Sequence, residues 1–283
     1  MDDSKILILG ANGQLGQELH RFYPNAKSTD VSTLDITNSE SVINYNWNDI
    51  EIVINAAAYT NVDGAETEQG RIDAWRINAV AVANLALAAN KNDFTLFHIS
   101  TDYVFDGSKN PHTEDEDFSP LSVYGASKAA GDIATSTAKK YYILRTSWVI
   151  GEGKNFVRTM IELGKKSISP SVVSDQIGRL TFTSELVRAI DHLLINKVPF
   201  GTYNISNEGE PVSWAAITRK IFKLANYNNT VTDTSTAEYF AGKEGIAPRP
   251  LFSILDLGRI HSTKFISRNW EDDLVIYVEK ELK

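Results

Sequence analysis

The sequence has no cysteine among its 283 residues, which excludes disulfides, thiolate metal sites and thiol catalysis. It also has no block of Lys or Arg. With a formal net charge of -8, it makes nucleic acid and anionic membrane poor partners. No uninterrupted apolar run approaches the roughly 20 residues that span a bilayer. The opening Met1-Asp2-Asp3-Ser4-Lys5 leads into a short apolar segment without a signal-peptide pattern. The five histidines lack metal-ligand spacing, and internal repeats, low-complexity tracts and flexible linkers are missing. What remains, 42% apolar and 23% charged, is an ordinary globular composition. The length suits one large α/β domain or a dinucleotide domain with a smaller partner, and a cytoplasmic enzyme is the expectation.

The chain opens on Lys5-Ile6-Leu7-Ile8-Leu9, an apolar run that predicts a parallel strand buried on both faces. Gly10-Ala11-Asn12-Gly13-Gln14-Leu15-Gly16 follows, then an amphipathic stretch to about Phe22. Glycines there permit a tight turn, close approach of a pyrophosphate and close helix packing, with phosphate at the helix N-terminus. The spacing is Gly-x-x-Gly-x-x-Gly rather than Gly-x-Gly-x-x-Gly, a weak signal that its place between first strand and first helix strengthens. Asp30, at the expected end of a second strand, suits a ribose 2′-hydroxyl and would oppose a 2′-phosphate, or it is a turn aspartate. Asp35 either reaches the adenine or makes an Asx-turn. Glu51 to Ala58 predicts a strand whose small residues Ala56, Ala57 and Ala58 let a cofactor lie close. Asp63 reads as a cap, Arg71 to Asn90 as a long buried helix, and Asn78 within it as a locally bonded side chain.

Phe94 to Ile99 predicts a strand that ends in Ser100-Thr101-Asp102-Tyr103, where ligands of an open α/β sheet sit. Residues 106–120 read as a surface loop. Tyr124 and Lys128 follow, four apart on a helix running to about Lys140, and so project from one face. An ammonium one turn from a phenol favours the phenolate and brings the tyrosine toward a catalytic pKa. An exposed aromatic-cation pair is the plainer reading of the same spacing. Tyr141 to Gly151 predicts a further strand, with Trp148 offering a flat face to a ring substrate or packing in the core.

The pattern loosens there, which predicts a dinucleotide-binding domain over 1–151 and a mainly substrate-binding part over 152–283. Some segments, about 180–206, return to the first sheet. Helices are expected at Asn155 to Lys165, at Thr183, as N-cap, to Leu194, at Ser213 to Ala225 and at Glu271 to Lys283. Arg249, between two prolines, is placed to clamp a diphosphate, or is solvated. The fold class is α/β, a doubly wound parallel sheet of Rossmann type with a smaller C-terminal part.

The glycine loop, the hydroxyl after the fourth strand and Tyr124-xxx-Lys128 together resemble the extended short-chain dehydrogenase/reductases. Asn55-Ala56-Ala57-Ala58-Tyr59-Thr60-Asn61-Val62-Asp63, Ser100 to Phe105, Arg145-Thr146-Ser147-Trp148, Asp175-Gln176-Ile177-Gly178 and Arg249-Pro250 resemble, in order and over almost the whole chain, the dTDP-4-dehydrorhamnose reductases. Arg179-Leu180-Thr181 departs from that family, which has a small residue, proline and threonine. The resemblance implies reduction of the 4-keto group of dTDP-4-dehydro-6-deoxy-L-mannose to dTDP-L-rhamnose for cell-surface polysaccharide. Tyr124 would protonate the sugar oxygen, Thr101 would hydrogen-bond it, and Lys128 would hold the nicotinamide ribose and depress the phenol pKa. Thr60, Val62, Asp102, Tyr103 and Trp148 map to positions facing sugar and base, and Asn155, Gln176 and Arg249 to the nucleotide diphosphate side. The family commonly prefers NADPH and often accepts NADH. Homodimers in the superfamily pair through the helices near 71–90 and 124–140, whose apolar faces read equally well here as core. Some members hold an interfacial Mg²⁺, for which Glu18 and Glu185 are counterparts; exposed helix acids are the plainer reading and the expectation.

Two other readings share much of this pattern. A sugar-nucleotide 4,6-dehydratase carries an Asp-Glu pair after the threonine, where this chain has Asp102-Tyr103; an epimerase is not excluded by that. The second is a non-catalytic regulatory subunit similar to the beta subunit of methionine adenosyltransferase. Intact Thr101, Tyr124 and Lys128 favour an enzyme.

Overall fold

The computed structural model describes residues 2–283. Strand β1 (Ile6–Leu9) enters helix α1 (Gln14–Phe22), followed by β2 (Lys27–Thr29), α2 (Ser39–Asn44) and β3 (Ile52–Asn55). After a long helical run come β4 (Thr95–Thr101), α5 (Val123–Thr135) and β5 (Tyr141–Thr146), the run itself being α3 (Glu68–Trp75), a π turn (Arg76–Val80) and α4 (Ala81–Asn92). Short strands β6 (Val149–Ile150), β7 (Ser171–Val173), β8 (Ile177–Gly178) and β9 (Thr181–Phe182) surround α6 (Phe156–Lys165). Then follow α7 (Thr183–Ile195) and β10 (Gly201–Asn204), with β11 (Val212–Ser213), α8 (Trp214–Leu224), β12 (Thr232–Thr234) and α9 (Thr236–Phe240) next. Helices α10 (Gly258–Ser262) and α11 (Trp270–Glu281) complete the chain.

Six strands form one parallel sheet in the order β10-β5-β4-β3-β1-β2, so the chain runs outward in both directions from β1. Alternation along β1 divides the core. Ile6 and Ile8 pack with Leu15, Leu19, Leu186 and Ile190 under α1 and α7; Leu7 and Leu9 pack with Ala81, Leu85 and Ala89 under α4. A third core joins Val157, Ile161, Ile217, Ile221, Trp270 and Leu274 among α6, α8 and α11, and builds the C-terminal lobe. Strand β10, from that half of the sequence, pairs with β5 at the sheet edge.

Several expected boundaries move, each for a local reason. Helix α5 stops at Thr135, not Lys140, because hydroxyls of Thr135, Ser136 and Thr137 bond the carbonyls of Gly131, Ile133 and Ala134. The strand expected through Gly151 breaks after β5, since Trp148 takes a left-handed φ of 49°. Residues 106–120 are not merely surface: His112 and Glu114 are buried, Glu114 accepts the Asn204 N–H, and Arg145 donates to the Glu114 carbonyl. Thr183 is the first residue of α7, with Phe182 as its cap. Asp63 caps nothing and instead pairs with Arg249. The helical run Glu68–Asn92 has 25 residues and a mean hydropathy of 1.2 in its most apolar window, long and apolar enough to cross a membrane. Half of that window is buried within the fold. Asn78, in its π turn, bonds over long range rather than locally, joining the Tyr59 backbone to the Ser127 hydroxyl of α5.

Candidate active site

The carboxyl ends of β1, β3, β4 and β5 open onto two adjoining cavities, as parallel-sheet geometry requires. The first, about 420 Å³, runs past Gly10, Asn12, Gly13, Asp30, Asp35 and Ala56 to Ala58. Its floor tolerates no side chain at Gly10, where φ is 76° and a Cβ would lie 2.6 Å from the Ala57 nitrogen. At Gly16 a Cβ would lie 2.2 Å from the Gly10 carbonyl oxygen, so only glycine lets α1 approach the loop. Gly13 caps α1 without a side chain, leaving its first N–H groups free for a phosphate. A dinucleotide's adenosine and pyrophosphate fit this cradle. Asp30 accepts the Ser32 N–H at 2.9 Å and the Ser32 hydroxyl, which hold its carboxyl below the usual range. Asp35 makes an Asx-turn with Thr37 while lining the same cavity. Arg76 also reaches the wall, a cation that the glycine-loop reading missed because it lies 60 residues along the chain.

The second cavity, about 410 Å³, shares Gly13, Ala56 and Ala58 with the first. Gln14, Leu15, Thr60, Val62, Tyr103 and Trp148 line it, and in its depth it gathers Thr101, Asp102, Tyr124 and Lys128. Gln14 also accepts the Gly151 N–H at 2.8 Å, tying the glycine loop to the start of the C-terminal half. Tyr124 stands on the first turn of α5, its ring edge-on to Tyr103 at 5.6 Å, capped from Ser122. Lys128 is 2% exposed, which removes the reading of a solvated aromatic-cation pair. Its Nζ donates to the Ile99 carbonyl at 2.6 Å and lies 3.3 Å from His98 Nε2.

The electrostatics correct one expectation. Burial pushes the Tyr124 phenol well up, and the neighbour that opposes the rise is the Thr101 hydroxyl, not Lys128. Burial also lowers Lys128 to about 8, with Asp132 countering. The phenol therefore holds its proton at neutral pH, the state a donor needs, while the lysine is poised to titrate. Asp132, one turn after Lys128 on α5, is buried and takes Arg145 Nε at 2.9 Å. The spacing that links Tyr124 to Lys128 also links Lys128 to Asp132, so this residue was detectable in the sequence; His98, set behind Lys128 by the sheet, was not.

A third cavity of about 330 Å³ lies in the C-terminal lobe and contains Gln176 and Arg249 with Trp214, Tyr239 and Phe240. Trp148 links it to the second cavity by stacking on Trp214 at 3.7 Å. The Arg249 guanidinium is already engaged: it donates to both Asp63 oxygens, at 2.9 and 2.8 Å, and lies over the Phe240 ring. Gln176 donates to the Thr236 hydroxyl. Asn155 stands apart from all three cavities. It caps α6 and spends its amide on Gly151, Gly153 and Tyr277. At the position of the family departure, Arg179 reaches the Leu255 carbonyl at 2.5 Å. Glu18 pairs with Arg21, and Glu185 is fully buried against Arg188 and the Arg268 N–H. Among the described residues no group of three metal-type ligands converges.

Comparison with known proteins places the chain in a family. The model of the family described as RmlD substrate binding domain matches residues 4–282. The dTDP-4-dehydrorhamnose reductase of Aggregatibacter actinomycetemcomitans is 37% identical, over 91% of this chain and 92% of its own. The spore coat polysaccharide biosynthesis protein SpsK of Bacillus subtilis is 35% identical, over 98% of each chain. The crystal structure of dTDP-4-dehydrorhamnose reductase from Bacillus anthracis in complex with NADP superposes with a TM-score of 0.89 at 37% identity, covering 98% of both chains. With its cradle, its Thr101-Tyr124-Lys128 cleft and these likenesses along its whole length, the chain belongs to the RmlD substrate binding domain family.

Proposed function

We propose that the protein is an NADPH-dependent dTDP-4-dehydrorhamnose reductase that also accepts NADH, reducing dTDP-4-dehydro-6-deoxy-L-mannose to dTDP-L-rhamnose. The observation that carries the reading is the convergence of Thr101, Tyr124 and Lys128 in a cleft continuous with the glycine cradle. When bound, the reduced nicotinamide supplies the hydride for the sugar C4 carbonyl. Tyr124, kept protonated by burial, gives its proton to the oxygen on which charge grows. Lys128, one turn along α5 from Tyr124, holds the ribose side and supplies positive charge on the side of the reacting oxygen. Trp148 and Trp214 form an apolar wall for sugar and base, and the cavity with Gln176 takes the nucleotide end. The product is an activated deoxysugar of the kind consumed in cell-surface polysaccharide assembly, which fits a cytoplasmic place of action. Turnover of dTDP-4-dehydro-6-deoxy-L-mannose with either reduced nicotinamide tests the reading; absence of turnover with both would remove it.

Cofactor choice turns on Asp30. Asp30→Ala removes the carboxylate beside the expected ribose 2′ position, so the NADPH-to-NADH ratio of kcat/KM should rise by roughly tenfold, the scale of one like-charge contact. An unchanged ratio would leave Asp30 as a turn residue.

The homodimer is a further part of the proposal. Ile72, Trp75 and Leu87 of α3 and α4 and Ile133 of α5 are exposed apolar side chains on three helices packed together. Sedimentation should give twice the chain mass, and Leu87→Glu with Ile133→Glu should halve it; a monomeric wild type would contradict this.

A further inference from the structure

The turn after β4 carries a carboxyl group for which the chemistry above has no use. Asp102, expected to face the sugar, is only 3% exposed. Its Oδ1 accepts the Thr101 hydroxyl at 3.0 Å, and its Oδ2, equally buried, has no hydrogen-bond partner. The groups around it are the Ser253 and His112 side chains from loops behind the strand and the phenols of Tyr103 and Tyr124 on the cleft side. Among the described residues Asp102 forms no ion pair; His112 turns its Nδ1 to Glu116 instead. Burial pushes this carboxyl up to about 6, against the Ser253 and Thr101 hydroxyls, which favour its charged form.

Its partner has a single proton to direct. A threonine hydroxyl offers one donor and two lone pairs, and one lone pair of Thr101 already takes the Tyr103 N–H at 3.2 Å. With Asp102 ionised, the Thr101 proton points at the carboxylate, and toward the cleft Thr101 is only an acceptor. With Asp102 protonated, the carboxyl O–H donates to the second lone pair, and the threonine proton turns into the cleft. That is where an oxyanion on the sugar needs it. We propose that Asp102 is a positioning residue whose own protonation decides whether Thr101 donates into the cleft or away from it. No proton leaves the pair in this switch of direction beyond the one exchanged with solvent at Asp102. The inference deepens the ketoreductase reading and depends on it for its effect on rate.

The test has two arms. In the first, kcat at saturating NADPH and keto-sugar is followed between about pH 5 and 10. Wild type should lose roughly 10²-fold as Asp102 ionises, the worth of one oxyanion donor. In Asp102→Asn, whose amide donates to Thr101 at every pH, that limb should vanish while a separate limb from Lys128 persists. A limb that survives in Asp102→Asn overturns the proposal. The second arm needs no turnover: in protein labelled with carbon-13 at aspartate carboxyls, the resonance missing from Asp102→Asn should titrate above the ordinary carboxylates. It should move higher still in Thr101→Val, which removes the donor. An ordinary titration, or one indifferent to Thr101→Val, also overturns it. A wild type without turnover but with this coupled titration would fault the ketoreductase reading and leave the Asp102–Thr101 pair standing.

Discussion

Tyr124→Phe is expected to bind NADPH as the wild type does and to lose turnover by roughly 10²- to 10⁴-fold, the range of a positioned general acid. The substitution removes one oxygen. The ring stays edge-on to Tyr103, and α5 keeps its Ser122 cap, so the cleft should keep its shape. What disappears is the protonated phenol in the cleft, whose neighbour is Thr101. Single-turnover oxidation of NADPH and a parallel binding titration separate the two effects. Turnover within about threefold of wild type would remove Tyr124 as the proton donor, because a general acid cannot be worth so little.

Lys128→Met should fail differently, weakening NADPH binding by roughly tenfold or more and cutting turnover by at least about 10²-fold, since the charge proposed to serve both ribose and oxyanion is lost. Its stability effect has the opposite sign to that of an ordinary core mutation. Burial lowers the Lys128 pKa to about 8, so the unfolded chain binds the proton more tightly than the folded one does. The cation therefore opposes folding at neutral pH, and stability recovers as pH rises from about 8 toward the ordinary lysine value. Methionine fills similar volume without the charge, and Asp132 keeps Arg145 as its partner. The melting temperature at pH 7 should hold or rise while activity falls. A lower melting temperature together with normal kinetics would assign Lys128 to structure alone. The same titration predicts that wild-type kcat/KM falls above about pH 8 and that the Met variant lacks this limb.

How much of this was visible in the sequence depends on the range of the interaction. Ile6 to Leu9, Gly10 to Gly16, and Tyr124 with Lys128 declare themselves through spacing within one element, and the structure places them in sheet, cradle and cleft. The end of α5 was placed too late, at Lys140 instead of Thr135, although Thr135, Ser136 and Thr137 stand in a row that competes for helix carbonyls. Pairings across the chain were not visible. Asp63 looked like a cap because nothing nearby hints at Arg249, 186 residues on. Trp148 looked divided between core and substrate; it is partly buried against the third core, stacked on Trp214, and also lines the cleft, where its contact with a sugar remains a proposal. Asn155 was assigned to the diphosphate by position, yet the carbonyls of Gly151 and Gly153 and the hydroxyl of Tyr277 use its amide fully. The Tyr124 pKa was misjudged in the same way. Helical spacing shows that Lys128 is near, but only the packed cleft shows that burial outweighs it.

The central claim is that Tyr124 and the cradle together reduce the sugar at C4. The most direct measurement uses NADPH deuterated at the nicotinamide C4 with dTDP-4-dehydro-6-deoxy-L-mannose, followed by NMR of the sugar product. Deuterium is expected at C4 of dTDP-L-rhamnose in wild type, with almost none formed by Tyr124→Phe in the same time. A sugar product free of deuterium when both C4 hydrogens of the cofactor are labelled, or a product epimerised without net reduction, would contradict it.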